Sequence, residues 1–251
     1  MPGRSNIDDP AKKVKDAQSG LKKMMVTMGD ELKKVVANIK GVGGALEDDL
    51  EDHPDFIFDV VVDCCNYLPL KTGVFGCFLG QMTWQTPDFA EKVLVKVLDR
   101  FQDLVKNGKI LEAQTPLRFL VAASNARAIE VSSVITLLSK LMDLPGDAGI
   151  YLVLSAFPWM AEDALQANSS SIDDWIQRAT AHRDQRDVAN YHRCLCPYQI
   201  DNASCPKIQD RYSALVDAII SLREANWKTR VIPKVHVPFR EVSQKIKAPL
   251  E

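Results

Sequence analysis

Apolar residues recur along most of this chain at intervals of three and four, the spacing that gathers them on one face of an α-helix. The clearest stripe lies between Thr86 and Gly108 and consists of Phe89, Val93, Leu94, Val97, Leu98, Phe101, Leu104 and Val105. Thr86 followed by Pro87 suits the start of a helix, and Asn107 followed by Gly108 suits its end. The segment is therefore predicted to be an amphipathic helix.

The same spacing predicts nine further helices, at 27–42, 54–68, 71–84, 109–125, 130–143, 147–166, 170–185, 207–226 and 239–246. The one alternating apolar run, 231–238, contains Pro233 and Pro238, which cannot donate to a neighbouring strand, so an extended connector is predicted there. About ten helices with short links predict an all-α fold. A HEAT-like solenoid of helical hairpins is favoured over a bundle, because helix starts at 54, 86 and 130 give a loose repeat.

Residues 27–247 are predicted to form a single helical-repeat domain, since 251 residues suffice to bury a core. Residues 1–26 are polar and basic without an apolar stripe, so a disordered basic tail is expected. Residues 186–206 lack helical periodicity and are expected to form an irregular loop. The first helix is predicted to end at a glycine cluster, Gly41, Gly43 and Gly44.

Composition places the chain among ordinary globular proteins, with 46% hydrophobic and 25% charged residues and a mean hydropathy of -0.11. The longest apolar stretches, such as 150–154, are far shorter than the roughly 18 residues of a membrane-spanning helix. No membrane partner is therefore expected. The six cysteines, without a secretion signal, are expected to be reduced thiols of the nucleus or cytoplasm.

Charge is balanced overall but unevenly distributed. The net charge of -2 argues against sequence-blind nucleic-acid binding. Residues 47–63, however, carry eight acids and no lysine or arginine, between more basic segments at 1–46 and 223–251. This acidic stretch is interpreted either as a solvated junction between helices or as a docking patch for a basic partner. The candidate partner-binding residues are Glu47, Asp48, Asp49, Glu51 and Asp52.

A second charged motif lies in the basic N-terminal segment. Lys12, Lys13 and Lys15 have the Lys-Lys-x-Lys spacing of a nuclear import signal. The alternative interpretation is a tail that only increases solubility.

One segment has the side chains of a metal site, namely His192, Cys194, Cys196 and Cys205. Zinc accepts three thiolates and one imidazole, but its ligand pairs are usually separated by about two to four residues. Since one residue separates Cys194 from Cys196, reduced loop thiols are favoured and no metal or other cofactor is predicted.

No catalytic residue is predicted either. Cys64, Cys65 and Cys77 lie in apolar helices, where cysteine usually packs as a small buried hydrophobe. The chain has no Gly-x-Ser-x-Gly elbow, phosphate-binding glycine loop or His-Glu-x-x-His helix.

The four tryptophans, Trp84, Trp159, Trp175 and Trp227, fall on or at the ends of apolar helix stripes. Packing in the core or at helix ends is favoured over base stacking. Pro158 is predicted to kink the helix at 147–166 and turn Trp159 back onto the core.

Several stretches resemble the first domain of the large subunit of the nuclear cap-binding complex: Ala45–Leu50, Cys64–Pro69, Pro116–Leu120 followed by Ala126, Leu154–Met160 and Leu222–Trp227. Their order and spacing also agree, from about residue 27 to 239. The resemblance implies a helical-hairpin stack of the kind found in the middle domain of the large translation-initiation scaffold. The residues expected to form its structural core are Phe119, Leu120, Pro158 and Trp159.

The resemblance also implies a non-enzymatic nuclear scaffold for RNA export, splicing and decay factors, with shuttling to the cytoplasm left open. In that family a small subunit binds the cap and docks chiefly on later domains, so this chain is expected to meet capped RNA only indirectly and to be a fragment or a divergent short form. A helical-repeat adaptor that binds an RNA helicase in translation initiation or nonsense-mediated decay is the main alternative. An enzyme that uses the loop cysteines is a third.

Overall fold

The computed structural model describes residues 10–185 and 211–228. The described residues form eleven α-helices: α1 Pro10–Thr27, α2 Val35–Asp52, α3 Pro54–Tyr67, α4 Thr72–Gln85, α5 Pro87–Lys106, α6 Ile110–Asn125, α7 Val131–Met142, α8 Asp147–Ala156, α9 Glu162–Ala167, α10 Ser169–Gln185 and α11 Arg211–Glu224. Two single-turn 3-10 helices, Leu32–Lys34 and Phe157–Trp159, precede α2 and follow α8. The described part of the chain contains no strand, and the predicted all-α fold is confirmed.

The helices stack in two layers. Helices α1, α3 and α5 pack side by side in one layer, while α2, α4, α6 and α8 pack in sequence in the other. Neighbours along the chain form hairpins that connect the layers, as in α3 with α4, α5 with α6 and α7 with α8. A stack of helical hairpins is the solenoid architecture that the sequence predicts.

Burial depends on the place of each helix in this stack. Helix α5 buries one stripe, which includes Val93, Val97 and Phe101, and exposes its other face. Helix α8 is buried along all ten residues, and α4 is buried from Thr72 to Gly80. A helix that is apolar on every side must be covered on every side. Neighbours surround α4 accordingly, with contacts to α2, α3, α5 and α6.

Small residues let α4 and α6 approach closely. A Cβ atom added at Gly76 would lie 2.6 Å from the Cβ atom of Ala122, and one added at Gly80 would lie 2.6 Å from the carbonyl oxygen of Ala126. Both distances are far below van der Waals contact. The two glycines and two alanines, each pair four residues apart, therefore fix how near these central helices lie.

The predicted disordered tail over 1–26 is replaced, from residue 10 onward, by helix α1. Leu21, Met25 and the nearby Met28 are buried, and α1 packs against α3. A segment that is polar as a whole can therefore form a helix when three apolar residues, about one helical turn apart, are covered by a neighbouring helix.

The predicted helix at 27–42 and its glycine stop are also wrong in detail. Gly29 adopts a positive φ of 84° and separates α1 from the 3-10 turn at Leu32–Lys34, so α2 begins only at Val35. Helix α2 then continues through the glycine cluster to Asp52. At Gly43 a Cβ atom would lie 2.3 Å from Nε2 of Gln81 on α4. The contact with α4 therefore outweighs the poor helix propensity of glycine.

Pro158 breaks the predicted helix 147–166 rather than kinking it. Helix α8 ends at Ala156, a 3-10 turn holds Pro158, and α9 starts at Glu162. Proline lacks the N–H group that would continue the helical ladder. The predicted loop 186–206 and the predicted helix 239–246 lie outside the described residues.

Candidate partner-binding surface

The acidic stretch 47–63 lies on helical turns rather than in an open loop. A single residue, His53, ends α2 and starts α3, so the acids flank it on two helices. Six of them have exposed side chains: Glu47, Glu51, Asp52, Asp55, Asp59 and Asp63. Asp49 is half-buried. The junction is therefore much shorter than the acidic stretch itself.

The acids at the end of α2 are placed unfavourably for stability. A helix carries partial negative charge at its C-terminus, where acidic side chains are repelled. Glu51 and Asp52 occupy the last turn of α2. Asp55, in contrast, lies in the first turn of α3, where the partial positive charge favours it.

Few described residues compensate this charge. Glu47, Glu51 and Asp52 form no ion pair with any lysine, arginine or histidine in the described ranges. Glu47 accepts a 3.2 Å hydrogen bond from the amide Nε2 of Gln85, at the end of α4. This bond is neutral on the donor side, so the surface at the end of α2 keeps its negative charge.

The lysines of the predicted import signal lie at the start of α1. Lys12, Lys13 and Lys15 all fall within its first two turns, and the side chain of Lys15 is exposed. The segment that carries them is therefore helical from Pro10 instead of a free tail.

Three of the four expected core residues lie deep in the protein. Phe119 is fully buried, Leu120 is 4% exposed and Trp159 is 7% exposed. Pro158 is only half-buried, because the break after α8 turns its ring toward the surface side of the segment while Phe157 and Trp159 face inward. The guanidinium of Arg118 lies 5.1 Å from the centre of the Trp159 ring, and burial lowers the pKa of Arg118.

Trp84 does not pack as expected. Its side chain is 66% exposed at the end of α4, whereas Trp175 and Trp227 are buried and contact the ring of Phe157. Trp84 lies one turn after Gly80, whose position faces Ala126, the residue that caps the end of α6. Apolar periodicity alone does not report where a helix emerges from its neighbours.

Several residues with structural roles give little or no signal in the sequence. Asn125 is buried and bonds to the backbone across the break between α8 and α9, and Gly76 and Gly80 set the distance between α4 and α6. An asparagine among small residues near a helix end has no periodic signature. The small residues at intervals of four lie on one face of each helix and are a sign of close helix packing.

The cysteines of α3 and α4 pack in the core, as the sequence predicts. Cys64, Cys65 and Cys77 are buried. Burial raises the pKa of the Cys64 thiol to about 11 and that of Cys65 well above its ordinary value. A buried neutral thiol is a poor nucleophile and a poor metal ligand.

Neither a metal centre nor a membrane span is found in the parts of the chain that the structure covers. Across 10–185 and 211–228, no three His, Cys, Asp or Glu side chains are grouped to hold a metal ion. Over the same residues, no helix combines the length and the apolar character that crossing a bilayer requires. The cluster from His192 to Cys205 lies outside these residues.

Three known proteins that share one name are similar in sequence to this chain. The sequence is 24% identical to a protein of Anopheles gambiae and 23% identical to one of Aedes aegypti, each over 216 residues or 82% of this chain. A protein of Caenorhabditis briggsae is 24% identical over 240 residues, or 91% of the chain. The similarity is to nuclear cap-binding protein subunit 1. No protein-family model matches the chain.

The match to nuclear cap-binding protein subunit 1 covers very different shares of the two proteins. It covers most of this chain but only 26% of the two mosquito proteins and 30% of the nematode protein. The predicted resemblance to the large cap-binding subunit is confirmed as a resemblance. It concerns less than a third of that subunit's length.

Proposed function

We propose that this chain is a non-enzymatic scaffold domain of a nuclear mRNA cap-binding complex, equivalent to the first helical-repeat domain of the large subunit. The observation that carries the proposal is the similarity to nuclear cap-binding protein subunit 1 along 82 to 91% of the chain. The two-layer stack of hairpins supports it, because such stacks commonly serve as protein-binding scaffolds. Capped RNA is met indirectly, through a small cap-binding subunit held mainly by other domains.

The surface proposed to receive partners is the end of α2, with Glu47, Asp48, Asp49, Glu51 and Asp52. Support comes from the exposed carboxylates of Glu47, Glu51 and Asp52, none of which forms an ion pair within the described part of the chain, and from the unfavourable position of Glu51 and Asp52 in the last turn of α2. A charge cluster that lowers stability is better explained by binding than by folding. Its partner is an Arg-rich segment of an RNA-export or RNA-decay adaptor.

The test is the association rate of an Arg-rich adaptor peptide with the parent chain and with a five-acid variant, Glu47→Gln, Asp48→Asn, Asp49→Asn, Glu51→Gln and Asp52→Asn. Electrostatic steering acts mainly on association and weakens with salt. At low salt we expect the variant to associate about tenfold more slowly. At moderate salt the difference should shrink.

A control variant removes the same charge elsewhere. Five exposed acids away from the end of α2 can be neutralised together: Asp16, Asp103, Glu130, Asp174 and Glu224. If the two variants lose association rate equally, only the net charge matters and the end of α2 is not a docking surface. A selective loss in the first variant supports the proposal.

The main alternative, an adaptor that grips an RNA helicase, is tested with the same immobilised chain. Recombinant translation-initiation helicase and a recombinant export adaptor are offered separately. Binding of the helicase without the adaptor would replace the nuclear proposal.

Nuclear entry through Lys12, Lys13 and Lys15 is part of the proposal. The name of the relatives, nuclear cap-binding protein subunit 1, supports a nuclear location. A fusion of the chain to a fluorescent protein too large to enter passively should accumulate in nuclei, and replacing the three lysines with alanine should abolish this. Unchanged accumulation would rule out this signal.

A further inference from the structure

An apolar groove lies beside the acidic end of α2, between the N-terminal part of α3 and the stretch of α5 from Pro87 to Asp99. Its volume is about 920 Å³, and it is open to solvent. The apolar side chains that line it are Leu50, Pro54, Phe58, Pro87, Phe89 and Val95. A groove of this size and lining matches the sites at which proteins bind small apolar groups.

The aromatic floor of the groove is held in place by the fold. The rings of Phe58 on α3 and Phe89 on α5 meet edge to face, with their centres 6.4 Å apart and their planes at 84°. Both side chains are half-buried, so one part of each ring remains available. The floor is therefore formed before any partner arrives, which reduces the entropy lost on binding.

Val95 adds an apolar side chain to the groove at a position that does not contribute to the buried core. It lies outside the buried stripe of α5, which runs through Val93 and Val97, and its side chain is 51% exposed. An exposed valine that extends an aromatic floor enlarges a continuous apolar surface. Such surfaces mark binding sites more often than isolated exposed apolar residues do.

The charge around the groove selects the occupant. Four acids line it, Asp55, Asp88, Glu91 and Asp99, against two lysines, Lys92 and Lys96. Asp55 and Asp88 stand in the first turns of α3 and α5, where they offset the positive ends of the two helices. Leu50, on the rim, directly precedes Glu51 and Asp52. The groove is therefore negative at its edge and apolar inside.

We infer that this groove binds one bulky apolar side chain of a basic linear segment in a partner protein, while the flanking Arg residues of that segment face the acids. The inference rests on the proposed role of the end of α2 and adds a specific anchor to it. Acidic side chains alone attract any basic segment and do not fix the position at which that segment binds. An apolar anchor between Phe58, Phe89 and Val95 slows dissociation and selects segments with such a residue.

Two probes test the anchor: a short peptide of alternating Arg and Ser with one central Leu, and the same peptide with Ala in place of Leu. We expect the Leu peptide to dissociate from the parent chain about tenfold more slowly than the Ala peptide, because burying the larger side chain stabilises the complex. Their association rates should be similar, since both carry the same charge.

Val95→Gln removes the exposed apolar contact with little risk to folding. It should clearly reduce the difference between the dissociation rates of the two peptides, and an unchanged difference would overturn the anchor. The matched control is Val14→Gln, since Val14 is 44% exposed on α1 and does not line the groove. This control should leave the difference between the peptides intact.

The outcomes separate the two proposals. Equal dissociation of both peptides from the parent, with association still slowed in the five-acid variant, overturns the groove inference and leaves the proposed function standing. Association of both peptides that does not depend on the acids overturns both. Concentration-dependent dimerisation that Val95→Gln abolishes would show that the groove holds a second copy of the chain instead.

Discussion

The side-chain amide of Asn125 donates a hydrogen bond of 2.6 Å from Nδ2 to the backbone carbonyl of Trp159. Its oxygen accepts a second bond, of 2.8 Å, from the backbone N–H of Ala161. Both backbone groups lie in the break after Pro158, where no helical ladder can satisfy them. One buried side chain at the end of α6 therefore replaces the hydrogen bonds that the break removes.

Replacing Asn125 with alanine should strongly destabilise the protein. Two backbone groups would be left buried without partners, at an expected cost of about 2–4 kcal/mol in total. The measurement is the free energy of unfolding in urea. Asn107→Ala is the control, because Asn107 is exposed directly after α5 and its side chain donates only a local hydrogen bond, to the carbonyl of Asp103 in that helix. Equal losses in both variants would contradict the bridging role of Asn125.

Two tryptophans provide a second comparison. Trp159→Ala should lower the free energy of unfolding by about 3–5 kcal/mol, because it removes a buried ring and leaves a cavity. Trp84→Ala should change it by roughly 0.5 kcal/mol or less, as is usual for surface substitutions. Thermal and urea unfolding measure both. A Trp159→Ala variant as stable as Trp84→Ala would place Trp159 outside the folding core.

These two residues also show how far the sequence predicts the fold. Helical periodicity predicts the hairpin stack and most helix bounds, because apolar spacing is a local property. It cannot separate Trp84 from Trp159, since both lie at apolar stripes and only the position of neighbouring helices decides which is covered. The helix stop predicted at Gly43 is wrong for the same reason, because the contact with Gln81 is long-range. At the candidate surface the acids are visible in the sequence, but the adjoining groove depends on how α3 and α5 pack together.

Two helical glycines, one packed between α4 and α6 and one with open space around it, are predicted to respond to alanine with effects of opposite sign. Gly76→Ala introduces a methyl group 2.6 Å from Ala122 and should destabilise by about 1–3 kcal/mol. Gly44→Ala, in α2, meets nothing within 4 Å and should stabilise by roughly 0.5–1 kcal/mol through better helix propensity. Urea unfolding of the two variants measures the difference. Two changes of the same sign would contradict the packing.

Burial of Cys64 predicts a loss of stability in alkali. Its pKa rises from an ordinary value of 9.0 to about 11 in the folded chain, so the unfolded chain loses its proton first. The stabilising contribution of the buried Cys64 thiol is therefore fully present below pH 9.0 and is lost as the pH rises toward about 11. Over this pH range, the free energy of unfolding should fall more steeply for the parent than for the Cys64→Ala variant. Identical pH dependence would contradict a raised pKa.

A last prediction concerns the free energy of unfolding at two nearby acids, Asp52 at the end of α2 and Asp55 at the start of α3. For Asp52 it separates the effect on stability from the effect on binding. Asp52→Asn removes a negative charge from the C-terminal turn of α2 and should raise the free energy of unfolding by about 0.3–1 kcal/mol. Asp55→Asn removes one from the N-terminal turn of α3 and should lower it by a similar amount. Both side chains are exposed, so salt should reduce both effects. Unfolding in urea at low and high salt measures them.

If Asp52→Asn both stabilises the fold and slows association of an Arg-rich peptide, the acid at this position opposes folding while it favours binding. A destabilising Asp52→Asn would instead mean that this carboxylate supports the junction at His53, and the argument that the acids are explained by binding would fail.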